Sequence, residues 1–234
     1  MCFHNSIKAK APVIAKRYKA KFINPEFFDP IFHGSGFNYS KWPVITNDKA
    51  EVIQLFNWGL IPKWTKSIED AAKIRSCTLN AKSETVFEKP SFRSSIKTNR
   101  CIIPSTGFFE WKTINKKKHP YFIFPKNEDF FSFAGIWEEW ADKTTGEIIN
   151  TFSILTTQAN PLMATIHNEK KRMPLILPHE LENNWLSENL TIEETKAFFV
   201  PYDEAKMQAH SISKLITSRT ENSNVSEVQQ EYKE

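Results

Sequence analysis

The second residue of the chain is a cysteine, which directly follows Met1 in the sequence MCFHNS. A small residue at this place favours removal of the methionine, and removal would leave Cys2 with a free α-amine beside its thiol. Such an aminothiol condenses with an aldehyde through the amine, and the thiol then closes a five-membered thiazolidine ring. The alternative is that Cys2 is an inert residue at a frayed terminus, so the rest of the chain must decide.

Three further residues are suited to proton transfer or to positioning. Glu110 lies among aromatic residues, and apolar surroundings raise the pKa of a carboxyl group toward neutrality; the alternative is a rim glutamate paired with Lys112. Asn80 offers a directional amide, although asparagine is also common in turns. His167 follows a strand and a polar turn, and a single histidine is more often structural than catalytic.

Composition excludes several classes of protein. The 234 residues include 19 Phe and 7 Trp, which is enough apolar side chain for a sizeable core. No apolar run reaches the ~18 residues that a membrane span needs, and we see no secretory signal. Three cysteines are too few and too odd in number for a disulfide framework, and no pair has zinc-ligand spacing. We therefore expect a cytoplasmic protein with reduced thiols, no metal and no cofactor.

The net charge of +4 is unevenly distributed. Basic residues cluster in segments 8–21, 116–119 and 170–172. Basic clusters interleaved with aromatic residues suit nucleic acid, because lysines track phosphates while flat rings stack on bases. Any single cluster is more simply explained as a solvated loop, so the three together indicate a nucleic-acid groove without establishing it.

The periodicity predicts one α+β domain with a mixed, mostly antiparallel, β-barrel-like core flanked by short helices. We predict strands at 50–56, 151–157 and 173–178, and a hairpin over 121–137 that turns at 125–129. We predict helices at 67–75, around 91–98, at 179–187 and at 191–199, the last with a capping box between Thr191 and Glu194. The domain is predicted to span residues 1–217, and the polar segment 218–234 to be a mobile tail.

Several motifs, taken in order, carry a family resemblance. They are Met-Cys at the N-terminus, then Trp58-Gly-Leu-Ile-Pro-Lys-Trp64, Asn80-Ala-Lys-Ser-Glu-Thr85, a Cys101-to-Trp111 segment ending in Gly-Phe-Phe-Glu-Trp, Thr156-Thr-Gln-Ala-Asn160, and His167 followed by Arg172-Met-Pro174. This ordered set resembles the SRAP (SOS-response-associated peptidase) family, whose members shield abasic sites in single-stranded DNA. The resemblance implies a monomeric protein that attaches covalently to abasic DNA through a thiazolidine. It also implies nucleoid association when DNA is damaged.

The resemblance implies roles for individual residues. The catalytic set falls on Cys2, Asn80, Glu110 and His167. The residues expected to contact DNA are His4, Trp58, Pro62, Trp64, Lys82, Trp111, Thr157, Asn160, Arg172 and Met173. Three features depart from the family pattern: Phe3-His4 replaces Gly-Arg, Lys82 replaces an arginine, and residues 168–171 lengthen the loop after His167.

Two other functions stay open at this point. A cysteine hydrolase would use Cys2, His167 and Glu110 on peptides, and the removal of Met1 would be its autoprocessing. A non-catalytic module would bind single-stranded DNA through the basic clusters and the tryptophans. An abasic DNA separates the three functions, because only the first predicts a denaturation-resistant adduct that needs the α-amine.

Overall fold

The computed structural model describes residues 2–218 and 220–233 as a β-rich domain with short helices. Its strands are β1 (His4–Ile7), β2 (Lys21–Phe22), β3 (Ile31–Ser35), β4 (Lys41–Thr46), β5 (Lys49–Trp58), β6 (Asn80–Lys82), β7 (Arg100–Ser105), β8 (Gly107–Ile114), β9 (Lys117–Pro125), β10 (Phe131–Ala141), β11 (Ile148–Gln158), β12 (Arg172–Pro174), β13 (Ile176–Leu177) and β14 (Met207–Ser211). Its α-helices are α1 (Ala11–Tyr18), α2 (Ile68–Arg75), α3 (Ser95–Thr98), α4 (Pro161–Ile166), α5 (Glu182–Trp185) and α6 (Ile192–Ala197).

The strands form two sheets. One has the order β14-β9-β8-β1-β3, and the other has the order β12-β11-β10-β7-β4-β5-β2, with β13 on β10 and β6 on β11. Most pairs are antiparallel, while β5 and β6 run parallel to β11 and β2 runs parallel to β5. The predicted fold class, a mixed and mostly antiparallel β-barrel-like core with short helices, is confirmed.

The central strands β10 and β11 are buried along most of their length. Both faces of these strands are covered, so polar residues of β11 such as Ser153 and Thr156 are buried together with the apolar ones. Trp42, Trp58 and Phe152 lie in this core with no exposed surface. Burial of each such ring contributes on the order of 1.5–3 kcal/mol.

The strand predictions at 50–56, 151–157 and 173–178 are confirmed, the last as the short strands β12 and β13. The helix prediction at 67–75 is confirmed, and the hydroxyl of Ser67 caps α2 by accepting from the amide of Asp70. The helix predicted at 191–199 spans Ile192–Ala197 and begins with the expected capping box. The helices around 91–98 and at 179–187 are single turns, α3 and α5.

The predicted hairpin over residues 121–137 is wrong. Both strands form, but β9 pairs with β8 and β14, whereas β10 pairs with β7, β11 and β13. β9 instead forms a hairpin with β8, and the turn residues Asn115 and Lys116 have φ of 49° and 64°. Left-handed turns usually contain glycine, so this turn carries no strong sequence signal.

The C-terminal segment 220–233 packs against the domain, which differs from the predicted mobile tail. Asn224 accepts hydrogen bonds from the amides of Phe32 and His33 on β3, and Gln229 donates to Ser6 and to the carbonyl of Phe32. Val228 is fully buried. The composition of the segment does not predict this contact, because hydrogen bonds from polar side chains and a single buried apolar residue, Val228, hold the segment in place.

The described residues contain no helix of the length and apolarity needed to cross a membrane.

Candidate active site

The four residues predicted to be catalytic come from separate elements and approach one another beside the start of β1. Cys2 precedes β1, Asn80 opens β6, Glu110 lies within β8, and His167 ends α4. The Asn80 side-chain amide donates to the carbonyl of Cys2 at 2.8 Å, and Glu110 Oε2 lies 3.8 Å from His167 Nε2. All four side chains are buried. The structure therefore brings this predicted set together.

Strand register positions Glu110 next to the N-terminus. β1 pairs antiparallel with β8, with His4 opposite Phe109 and Ser6 opposite Gly107. Extending β1 backwards from His4 brings Cys2 alongside the stretch of β8 that contains Glu110. Gly107 opens β8 with φ of 151°, and a Cβ there would lie 2.4 Å from the ring of Phe122, so only glycine fits.

Glu110 has the pKa of a proton shuttle. It is 5% exposed and lies between Phe109 and Trp111 on β8. Burial disfavours the charged carboxylate and raises the pKa of Glu110 to about 7. Near neutral pH the carboxyl is therefore populated in both its acidic and its basic form, as a general acid–base catalyst requires.

His167 is a neutral imidazole with one nitrogen directed at Glu110. Burial lowers the pKa of His167 to about 4. Its Nδ1 lies 2.8 Å from the carbonyl oxygen of Arg172, which can only accept, so Nδ1 carries the proton. The Nε2 lone pair then faces the Glu110 carboxyl and can accept a proton.

Local capping positions His167 at the end of α4. Asn160 caps the start of the helix, since its Oδ1 accepts from the amide of Met163, and His167 follows the last helical residue in a non-helical conformation. The amide of Lys171 donates back to the carbonyl of His167 at 2.8 Å and closes the loop. The longer loop therefore forms a closed turn that holds the imidazole against Arg172.

Cys2 is fully buried and its thiol is neutral. Burial raises the pKa of the Cys2 thiol well above its usual range, and the nearby charge of Glu110 raises it further. The thiol donates weakly to the carbonyl of His4 at 3.6 Å.

Asn80 also has an unused acceptor. Its Oδ1 is buried without a hydrogen-bond partner among the described residues, while its Nδ2 holds the Cys2 carbonyl. An unsatisfied buried acceptor costs roughly 1–3 kcal/mol, and such groups are uncommon in folded proteins. This oxygen is placed to accept from a hydroxyl or amine that enters the site.

His4 occupies a different environment from the one expected of a phosphate contact. Its Nδ1 lies 2.8 Å from Nε2 of His33, whose Nδ1 lies 2.8 Å from the hydroxyl of Ser223. Burial lowers the pKa of both His4 and His33 to about 4, so neither is charged at neutral pH. His4 also packs edge-on against Trp111 at 4.9 Å. This chain of hydrogen bonds positions the start of β1 and offers no cation for a phosphate.

Arg172 is engaged within the protein, while Lys82 is free to reach solvent. The Arg172 guanidinium pairs with Glu84 and donates to the carbonyl and hydroxyl of Thr156. It therefore fastens β12 to β11 and to the segment after β6. Lys82 is exposed on β6 and is the better placed of the two for a phosphate.

The predicted stacking residues separate into a core residue and a surface residue. Trp58 is fully buried, stacks on Phe152 and donates to the carbonyl of Leu79, so its ring presents no free face to a base. Trp64 is 57% exposed and remains a candidate for base stacking. Trp111 is half-buried at the rim beside His4.

The remaining predicted DNA contacts are buried and engaged in the fold. The Asn160 side-chain amide donates to the carbonyl of Tyr202, and its Oδ1 caps α4. The sulfur of Met173 accepts from the amide of Asn160. The Thr157 hydroxyl donates to the carbonyl of Phe199. Pro62 is also buried. These four side chains are therefore buried within the fold and are not presented to a DNA strand.

Sequence reasoning missed two residues that shape the site. His33 arrives on β3, and nothing in its local sequence distinguishes it from the other histidines. Asn168 follows His167 and bonds both backbone groups of Thr113 on β8. Its position beside His167 was the available signal.

The described residues contain no group of three His, Cys, Asp or Glu side chains arranged to hold a metal ion. Cys2, Cys77 and Cys101 are free thiols.

Comparison with known proteins places this site in a family context. The family model described as SOS response associated peptidase (SRAP) matches residues 1–219. Abasic site processing protein YoaM of Bacillus subtilis strain 168 is 40% identical over 182 residues, covering 77% of this chain and 77% of that protein. Abasic site processing protein HMCES of Xenopus tropicalis is 31% identical over 159 residues, covering 59% of this chain and 46% of that protein.

A solved structure is also similar over the whole chain. The crystal structure of a protein from Bacteroides thetaiotaomicron has a TM-score of 0.93 and 44% identity, and the match covers 99% of this chain and 100% of that one.

Proposed function

The chain belongs to the SOS response associated peptidase family, and from that premise we propose that it processes abasic sites in DNA by covalent capture. Cys2, freed of Met1, attacks the aldehyde form of an abasic sugar in single-stranded DNA and closes a thiazolidine. The protein acts as a monomer in the cytosol, on damaged chromosomal DNA, without a metal or cofactor. Its relatives named abasic site processing proteins support the substrate class.

The observation that carries the proposal is the convergence of four residues from distant parts of the chain. Asn80 binds the Cys2 carbonyl at 2.8 Å, and Glu110 lies 3.8 Å from His167. An aminothiol that reacts with an aldehyde needs groups that move protons, and the position of Glu110 and His167 beside Cys2 supports that role for them. Holding amine and aldehyde together is worth up to ~7–11 kcal/mol of the barrier in favourable cases.

Ring opening of the sugar comes first. The closed hemiacetal must lose a proton from its C1′ hydroxyl and gain one on the ring oxygen. The neutral Nε2 of His167 accepts the first proton, and the protonated carboxyl of Glu110 donates the second. The free Oδ1 of Asn80 orients the sugar hydroxyl or the incoming amine.

Bond formation then releases one water. His167 first returns its proton to the Glu110 carboxylate, 3.8 Å away, which restores both groups. The Cys2 amine then adds to C1′ and one of its protons moves to the oxygen. The resulting hydroxyl takes a proton from Glu110 and leaves as water, and Glu110 takes back the proton that the nitrogen releases as the imine forms. The sulfur bonds to the same carbon while its proton passes to the nitrogen, which completes the ring. Glu110 is suited to both directions of transfer because burial holds its pKa at about 7.

A peptide hydrolase is less well supported by the electrostatics. A cysteine protease works through a thiolate and an imidazolium, which require a lowered thiol pKa and a charged histidine. Here burial raises the pKa of Cys2 and lowers the pKa of His167 to about 4, the opposite direction for each. The neutral thiol and neutral imidazole fit imine chemistry better.

A purely non-covalent module is supported by few stacking surfaces. Trp58 lies in the core, and Trp64 is the exposed ring of the WGLIPKW segment. A sequence-independent binder of single strands relies on several stacked rings. A buried carboxyl beside a buried imidazole would also serve no purpose in such a module.

Covalent capture is tested with abasic single-stranded DNA and a denaturing gel. Wild-type protein should give an adduct that survives heat and denaturant, and Cys2→Ser should give none, since serine lacks the thiol that closes the ring. Cys77→Ser is the matched control, because Cys77 is an exposed cysteine outside the site. Equal heat-stable adduct from wild type and Cys2→Ser would refute the proposal.

A further inference from the structure

Two of the three basic clusters meet on one surface beside the candidate site. The β8–β9 hairpin ends in a basic turn, and the loop after His167 brings two further lysines next to it. We call this surface the lysine ridge; it consists of Lys112, Lys116, Lys117, Lys118, Lys170 and Lys171.

Asn168 joins the two parts of the ridge. Its side-chain amide donates to the carbonyl of Thr113 at 2.8 Å, and its Oδ1 accepts from the amide of Thr113 at 3.0 Å. The Thr113 hydroxyl also donates to Glu169 at 2.9 Å. β1 pairs with β8 only as far as Phe109, so Asn168 satisfies backbone groups on an edge that β1 leaves open.

Strand geometry places part of the ridge on the same face as the catalytic carboxyl. Side chains two residues apart on a strand point to the same side, so Lys112 shares the face of Glu110. Lys117 is directly opposite Ile114, the next residue on that face. The ridge therefore continues the surface that carries Glu110 toward the hairpin tip.

The loop side of the ridge adjoins the site, because Lys170 lies in the turn that the amide of Lys171 closes on the carbonyl of His167. Burial is the main influence on the pKa of Glu110 and of His167, and the positive charge of Lys170 lowers both. None of the six ridge ammonium groups makes an ion pair with the described residues. The nearest acid on the loop, Glu169, is engaged by Thr113. The six lysines outnumber this one acidic residue, so the ridge is a positive surface overall.

We propose that the lysine ridge binds the phosphodiester backbone of the DNA strand on one side of the abasic nucleotide. This inference rests on the proposed function, because it extends the same site. Glu110 and Ile114 are four residue steps apart on β8, a length of roughly 14 Å at ~3.4 Å per residue. At the ~3.4 Å spacing of a stacked strand, that length matches about four nucleotides.

The third basic cluster provides a contrast. β1 runs antiparallel to β8, so the chain that continues from β1 to Lys8 and Lys10 runs away from the site, in the direction opposite to the hairpin tip. Farther along, Arg17 is paired with Glu182 at 2.7 Å. We therefore assign phosphate binding to the lysine ridge and not to the cluster at residues 8–21.

The test measures non-covalent binding to a single strand that carries a tetrahydrofuran abasic analogue, which has no aldehyde and cannot be crosslinked. The ridge variant is the triple substitution Lys112→Gln, Lys117→Gln and Lys170→Gln. The matched control removes the same charge through Lys8→Gln, Lys10→Gln and Lys16→Gln, three exposed lysines of the other cluster. Affinity is measured across a salt series.

Each lost phosphate contact should lower the slope of log affinity against log salt by ~0.7 on a single strand. The ridge variant should therefore lose about 2 from the slope, so that a tenfold rise in salt weakens its binding about 100-fold less than that of wild type. The control should keep the wild-type slope. Equal slopes for wild type and the ridge variant, or an equal loss in the control, would overturn the proposal.

Truncated strands test the position of the contact. Removing four nucleotides from one side of the analogue should weaken wild type and leave the ridge variant unaffected, while removal from the other side should affect both proteins equally. Truncation effects that are the same in both proteins on both sides would also overturn the proposal. The proposed function is judged separately, by the heat-stable adduct of wild type on reactive abasic DNA.

Discussion

Glu110→Gln is predicted to stabilise the folded protein at alkaline pH while it slows the reaction with abasic DNA. Burial raises the pKa of Glu110 from 4.5 to about 7. Since one pKa unit corresponds to ~1.4 kcal/mol, that difference amounts to about 3 kcal/mol of stability that ionisation of Glu110 costs above pH 7. Glutamine keeps the shape and carries no charge, so it removes this cost.

The sign of the pH dependence follows from proton binding. Between pH 4.5 and 7 the folded state holds a proton on Glu110 that the unfolded state releases, so the free energy of unfolding falls as the pH rises through this window. The stability of Glu110→Gln relative to wild type should therefore be lowest near pH 4.5 and increase by about 3 kcal/mol by pH 8. Urea unfolding at a series of pH values measures this difference.

Glu138→Gln is the matched control for this experiment. Glu138 is also buried, but its carboxylate accepts from Ser95 and Asn99 and pairs with Lys63. The same substitution should destabilise the protein there, because it weakens charge-assisted hydrogen bonds. A stability difference for Glu110→Gln that does not change between pH 4.5 and pH 8 would refute the assigned burial effect.

Three further predictions concern the site and its supports. His167→Ala should slow single-turnover crosslinking by ~10²–10⁴-fold, and a wild-type rate in the folded variant would remove His167 from the mechanism. Trp64→Ala should weaken single-strand binding by about 1–3 kcal/mol and have little effect on the free energy of unfolding. Trp58→Ala should lower the free energy of unfolding by about 3–5 kcal/mol. The reverse pattern would contradict the assignment of Trp64 to the surface and Trp58 to the core. Deleting residues 220–234 should lower the melting temperature, and an unchanged value would show that the segment adds nothing to stability.

The fold class could be predicted because apolar runs and turn signals are local properties. Strand pairing could not, because partners are chosen by packing over long sequence distances. Residues 121–137 show the difference, because both predicted strands form but do not pair with each other. β9 makes its hairpin with β8, through a turn at Asn115 and Lys116 that contains no glycine. Burial of Trp58 was likewise invisible, because a tryptophan beside glycine suits a loop and a core equally well.

The candidate catalytic residues could be predicted as a set because their motifs occur in one order along the chain. The contacts of the residues around them could not be predicted. Arg172 was expected to contact DNA, but it pairs with Glu84, a residue 88 positions away. His4 was expected at the DNA surface, but it forms a neutral pair with His33 from another strand. Such contacts depend on the folded arrangement of β1, β3 and β12.

The central claim is that mature Cys2 captures an abasic sugar through both its amine and its thiol. Intact mass of the adduct purified after borohydride treatment tests it most directly, because an open imine would gain two hydrogens and a closed thiazolidine would not. We predict the mass of the protein without Met1, plus that of the abasic strand, minus one water. An adduct that retains Met1 would contradict the account, because the Cys2 nitrogen would then be a peptide amide that cannot form the imine.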